Sequence, residues 1–161
     1  MMYRLHRRQV VGGDLPNVFG FFKSPFNLEA ITPPWLDFRV LHASDPEVRE
    51  GTRIAYRLRL HGLPLRWESR ITEYRENAMF ADEQVVGPYR HWYHRHLFSP
   101  VPDGVAIEDV VEYRMPFGPL GRLAHAAFVR RQLGRIFDYR ARVIGARCPS
   151  QPARVGQKVL G

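Results

Sequence analysis

The chain has one cysteine, two lysines and no long apolar run. Cys148 stands alone, so no intrachain disulfide can brace the fold, and the cysteine count gives no reason to place the protein in an oxidising compartment. No stretch approaches the roughly 20 apolar residues that a membrane-spanning helix requires. The opening residues MMYRLHRRQVV lack the uninterrupted apolar segment of a secretory signal, which leaves the cytoplasm as the expected location. Also missing are a P-loop, a dinucleotide-binding glycine motif, a nucleophile elbow, a cysteine metal knuckle, coiled-coil heptads and internal repeats. Their absence argues against nucleotide-driven chemistry, α/β-hydrolase chemistry and solenoid folds.

The charge that is present is lopsided. Basic residues number 24 and acidic residues 16, a formal charge of +8, and every cation apart from Lys23 and Lys158 is an arginine. The arginines are spread along alternating strand positions and around a helix, with no Gly-rich basic tail. They read as a solvated basic surface with no specific nucleic-acid partner. Peripheral contact with an anionic surface or partner is the alternative use of that charge. At 161 residues, with 45% hydrophobic and 25% charged side chains, the chain suits one globular domain.

Tyr3 to Val11 reads as a first strand, broken by Gly12-Gly13. Asp14 is placed to cap a short helix carrying Val18, Phe19, Phe21 and Phe22, because its carboxylate can accept from amides two or three residues on. Ser24-Pro25 ends that helix and starts another, with Ser24 as cap, running through Phe26, Leu28 and Ile31 to Pro33-Pro34. From Trp35 the period falls to two. Strands are predicted from Trp35 to His42, from Gly51 to His61 and from Leu65 to about Tyr74. Ile54, Tyr56, Leu58 and Leu60 share one side of the second of these, and Trp67, Ser69 and Ile71 one side of the third. Leu120 to about Ile144 has helical spacing, with Leu123, Ala126, Ala127, Leu133, Ile136, Phe137 and Ile144 on the apolar side and Arg131, Arg135, Asp138 and Arg142 opposite. Residues 148–161 are polar and aperiodic and are expected to form a disordered tail, leaving 1–147 as a single domain.

The remaining stretch, Phe80 to Tyr113, organises the rest. It contains three period-2 runs separated by Gly87-Pro88 and Pro102-Asp103-Gly104, which predict three antiparallel strands. Alternation places Phe80, Asp82 and Gln84 on one face of the first, Trp92, His94, His96 and Phe98 on one face of the second, and Ile107, Asp109, Val111 and Tyr113 on one face of the third. A polar group buried there without a partner would cost about 1–3 kcal/mol. The face is therefore expected to line a cavity in which the polar side chains serve a purpose.

FFKSPFNLEAITPPWLDFRV resembles the paired helices of bacterial cyclase/dehydrase-like members of the SRPBCC superfamily. FADEQVVGPYRHWYHRHLF followed by EDVVEYRMPFGPLG resembles their last strands and the start of their long helix, and the likeness spans residues 3–145. The superfamily includes START lipid-binding domains, pollen-allergen-like proteins and polyketide cyclase/dehydrases. The resemblance implies an α+β helix-grip fold: a seven-stranded antiparallel curved sheet wrapped around a long C-terminal helix, with two short helices after the first strand and a hydrophobic cavity between sheet and helix. Members bind lipids, sterols, hormones or polyketides, and only some catalyse a reaction, so no catalytic residue carries over.

The leading expectation is binding of a small lipid-, aromatic- or polyketide-like molecule. The residues expected to bind it are Tyr56, Leu58, Trp67, Phe80, Asp82, Gln84, Trp92, His94, His96, Phe98, Asp109, Val111, Tyr113, Leu133 and Phe137. The enzymatic alternative is a cyclase or dehydratase in which His94 or His96, oriented by Asp82 or Asp109, exchanges a proton with the substrate. Two histidines and a carboxylate would also suit zinc or iron. The spacing is common, however, and fixes no third ligand, so no metal or cofactor is expected from sequence. The oligomeric state is left open.

Overall fold

The computed structural model describes residues 1–60 and 62–149; His61 and the rest of the expected tail, from residue 150, lie outside the described residues. Strand β1 (Tyr3–Val11) is followed by helix α1 (Leu15–Lys23) and by two 3-10 segments, Pro25–Ile31 and Pro34–Leu36. Six strands come next: β2 (Arg39–Ala43), β3 (Arg53–Leu60), β4 (Leu63–Arg75), β5 (Met79–Val86), β6 (His91–Val101) and β7 (Gly104–Arg114). The chain closes with α2 (Gly118–Ala124), a π-helical turn (His125–Val129) and α3 (Arg130–Arg147). The strands form one antiparallel sheet in the order β1-β7-β6-β5-β4-β3-β2. Meander connections explain that order for β2 to β7, since each hairpin turn sets consecutive strands side by side.

Asp14 caps α1 as its position implies, accepting from the Asn17 amide at 2.9 Å. The second short helix differs from expectation. It is 3-10, and Ser24 makes no side-chain cap bond to it. The strand expected from Trp35 begins only at Arg39, because Pro33-Pro34 starts a further 3-10 turn and Asp37 closes it at φ +42, a conformation no strand contains. Cys148, expected to open the tail, is tied back to the domain: its carbonyl accepts from the Gly12 amide at 2.8 Å.

The long helix also differs. Its π-helical turn inserts an extra residue per turn and rotates the apolar stripe. Leu123, Ala126 and Ala127 therefore face outward rather than onto the sheet, and Gly121, His125, Leu133, Phe137 and Ile144 are the buried positions. His125 stacks on Tyr3 with ring centroids 3.5 Å apart and bonds the Tyr113 hydroxyl at 2.9 Å.

Two apolar clusters lie between sheet and helix. One gathers Val11, Phe19, Ile71, Phe80, Phe98, Ile107 and Ile144; the other gathers Trp67, Trp92, Val111, Tyr113, Leu133 and Phe137. On several elements the two clusters are separated by a polar residue: Ser69 between Trp67 and Ile71 on β4, Asp109 between Val111 and Ile107 on β7, and Arg140 between Phe137 and Ile144 on α3. On β6 the separation is two inward residues, His94 and His96, between Trp92 and Phe98. With Asp82 on β5, these residues form a polar belt across the concave face.

Candidate functional site

Strand register assembles the belt. Asp82 lies opposite His94 across β5 and β6, and His96 lies opposite Asp109 across β6 and β7. The four side chains then meet diagonally as well as directly. Asp109 Oδ1 accepts from His94 Nε2 at 2.9 Å and lies 2.9 Å from His96 Nδ1, the latter too far off line for a full hydrogen bond. From the other side Asp82 Oδ2 stands 3.4 Å from His96 Nε2 and 3.8 Å from His94 Nδ1. The second Asp82 oxygen, Oδ1, accepts from Ser69 Oγ at 3.2 Å, and Ser69 Oγ in turn accepts from the Trp67 indole N–H at 3.1 Å. Arg140 Nη1 is 4.0 Å from Asp109 Oδ1, and its Nε and Nη1 are buried without a hydrogen-bond partner.

Burial and charge pull these groups apart. Burial, reinforced by the charge of His96, lowers the pKa of His94 in spite of Asp109. Burial also opposes charge on His96, but bonds and charges from Asp109 and Asp82 overcome it and raise its pKa. Burial would raise both carboxyls, yet the two imidazoles hold Asp82 below and Asp109 well below the usual carboxylate range. A neutral imidazole beside one that favours its proton can accept and return protons without any large rearrangement. Tyr56, whose hydroxyl lies 3.3 Å from Ser69 Oγ, is pushed well above its ordinary value by burial and stays a neutral phenol.

Ser69, Asp82, His94, His96 and Arg140 of the belt line a cavity of about 210 Å³ between the sheet and α3. Tyr56, Leu58, Trp67, Phe80, Asp82, Trp92, His94, His96, Leu133 and Phe137, all named from sequence, lie on its wall. Five others do not. Gln84 bonds the Tyr89 backbone through both ends of its amide and pins the β5–β6 turn instead. Phe98 packs at 5.1 Å against both Phe19 and Phe22 in the first apolar cluster. Val111 is fully enclosed in the second apolar cluster, and the Tyr113 hydroxyl is taken by His125. Asp109 sits behind the histidines, at a smaller hollow of about 40 Å³ that it shares with Phe137 and Arg140.

Sequence reasoning missed Arg140 and gave Ser69 no role. The signal for Arg140 was present: it interrupts Leu133, Phe137 and Ile144 on one helical face, where a lone arginine needs a partner inside the domain.

A curved antiparallel sheet closed by a C-terminal helix with a cavity between them decides the architecture. The fold is the helix-grip fold. No family model matches the chain, and no curated protein matches it. Among solved structures, the helix-grip scaffold is shared with ginseng major latex-like protein 151 from Panax ginseng, at 12% identity and a TM-score of 0.65, over 92% of this chain and 98% of that one. The protein TTHA0849 from Thermus thermophilus matches at 16% identity and a TM-score of 0.65, over 91% of this chain and 96% of that one. The di-domain ARO/CYC StfQ from the steffimycin biosynthetic pathway matches at 12% identity and a TM-score of 0.72; 91% of this chain aligns with 50% of that one. The helix-grip architecture that the sequence resemblance implied is the one observed.

Proposed function

We propose that the protein binds a small hydrophobic molecule bearing at least one acceptor oxygen, with its apolar body against Leu58, Trp67 and Leu133 and its oxygen toward Arg140 and the histidines. The observation that carries this reading is a largely apolar cavity whose wall is crossed by the polar side chains of Ser69, Asp82, His94, His96 and Arg140. Its volume of about 210 Å³ exceeds the roughly 150 Å³ of an engineered apolar cavity that holds one benzene ring. The ligand is therefore larger than a single ring, and an aromatic or polyketide-like compound suits the Tyr56, Trp67 and Trp92 wall. The shared fold of the ARO/CYC protein supports that class. The test is fluorescence titration with the neutral probe N-phenylnaphthylamine, followed by its displacement with aromatic ketones and with fatty acids. Saturable one-to-one binding displaced by oxygen-bearing aromatics supports the reading; failure to bind any of them sinks it.

A second reading rests on a separate observation. Between Glu112 and Asp138 the chain carries Arg114, Arg122, Arg130, Arg131 and Arg135 and no acidic residue. In the same segment Phe117, Leu120 and Leu123 are 79%, 68% and 67% exposed. Apolar side chains interleaved with unopposed cations match an anionic bilayer surface, which can take both at once. Co-sedimentation with phosphatidylglycerol vesicles but not with phosphatidylcholine vesicles, lost in L120E/L123E, is the expected result. Equal recovery with both vesicle types would refute it. Among the described residues no helix is long and apolar enough to cross a membrane.

A further inference from the structure

We propose that Asp82, His94 and His96 form a divalent transition-metal site open to the cavity. The sequence offered two histidines on one strand and fixed no third ligand. The register of β5 against β6 supplies it, bringing Asp82 Oδ2, His94 Nδ1 and His96 Nε2 to within 4.8 Å of one another.

The spacing on the two sides of the imidazoles is unequal, and that inequality is the argument. Toward Asp109 both distances are 2.9 Å, a hydrogen bond from His94 and an off-line contact from His96. Toward Asp82 they are 3.4 and 3.8 Å, beyond the 2.7–3.2 Å range that a closed polar network adopts. Donors bound to one ion at about 2.0–2.2 Å stand roughly 3.0–4.2 Å apart, depending on the angle between them. Both Asp82 distances fall within that span.

Two of the three ligands are also held on their far atoms by hydrogen bonds. Asp109 accepts from the opposite nitrogen of His94 and lies in off-line ionic contact with that of His96, and Ser69 Oγ donates to the second oxygen of Asp82. Metal-binding histidines are usually fixed in this way by a carboxylate on the other ring nitrogen. Imidazole with carboxylate selects zinc, iron, cobalt or nickel over calcium and magnesium. Three protein ligands leave positions free toward the cavity, the arrangement of a reactive rather than a structural site. The site does not depend on the cavity accepting a hydrophobic molecule, so the two ideas fail separately.

The experiment uses the full chain without a histidine tag, stripped with chelator and titrated with Zn²⁺ by calorimetry and with Co²⁺ by visible absorption. The expected result is one equivalent bound at micromolar Kd or tighter, with Co²⁺ d–d bands of a nitrogen- and oxygen-ligated ion. D109N should keep the one-to-one stoichiometry and weaken affinity about 10- to 100-fold. H94A and H96A should each lose at least that much, whereas exposed H91A should change nothing. Should H94A or H96A fail to fold by circular dichroism, paramagnetically shifted N–H resonances of two imidazoles in the Co²⁺ protein decide the point without them. Absence of stoichiometric binding, or binding that survives H94A/H96A in a folded protein, overturns the site and leaves the belt a proton-exchanging network.

Discussion

Asp82 and Asp109 hold the same two imidazoles from opposite sides. Asp109 does so at 2.9 Å to both rings and Asp82 at 3.4 and 3.8 Å. Either carboxylate alone, buried without a partner, would cost several kcal/mol. Together with Arg140 they are tolerable only because the histidines lie between them, so the belt stands or falls as a unit.

Filling the cavity should abolish ligand binding while sparing the fold. Leu58→Trp places an indole in the open volume, and probe affinity should fall at least about tenfold, a loss of about 1.4 kcal/mol. Unchanged affinity in a folded Leu58→Trp protein would show that the probe binds elsewhere.

Ser69→Ala removes the hydroxyl that accepts from the Trp67 indole and donates to Asp82. A buried indole N–H is then left unpaired, at a cost of about 1–3 kcal/mol in urea unfolding. Tryptophan emission should shift as well. A change below about 0.5 kcal/mol, half the low end of that range, would mean another acceptor takes over.

Phe19 belongs to the first apolar cluster. It is wholly buried against Tyr74, Phe80 and Phe98, and Phe19→Ala should cost about 3–5 kcal/mol in chemical denaturation. Because Phe19 lies off the cavity wall, probe affinity should stay within about threefold, under 1 kcal/mol. A larger loss of affinity at full folding would redraw the cavity.

Two helix glycines should respond in opposite directions. A Cβ on Gly121 would collide with the Pro116 carbonyl, so Gly121→Ala should destabilise by about 1–3 kcal/mol. Nothing lies within 4 Å of a Cβ on Gly145, and Gly145→Ala should stabilise α3 by about 0.5–1 kcal/mol. Thermal melts of both variants check the pair, and equal shifts would contradict the packing at the start of α2.

Much of the scaffold is legible in the sequence because local rules produce it. Period-2 runs bounded by Gly-Pro and Pro-Asp-Gly turns make β5, β6 and β7, and alternation alone puts His94 and His96 on one face. Local rules fail where two of them compete. At Trp35 the alternation signal loses to the Pro33-Pro34 turn. Along residues 120–129 the 3.6-residue period gives the wrong face because a π turn cannot be seen in apolar spacing. Gln84 and Tyr113 point inward as alternation says, but each finds a nearby partner, Tyr89 and His125, that turns it from the cavity to the frame.

The order of strands and helices, the single inward face of β6 and the chemical character of its four residues follow from the sequence, because backbone periodicity fixes which side chains share a side. Which carboxylate meets which imidazole, that Arg140 joins them, and that Asp82 stands back from the rings while Asp109 closes on them were decided by strand register and by the seat of α3 on the sheet. Those depend on residues far apart in the chain packing at once, and no local pattern encodes a distance across them.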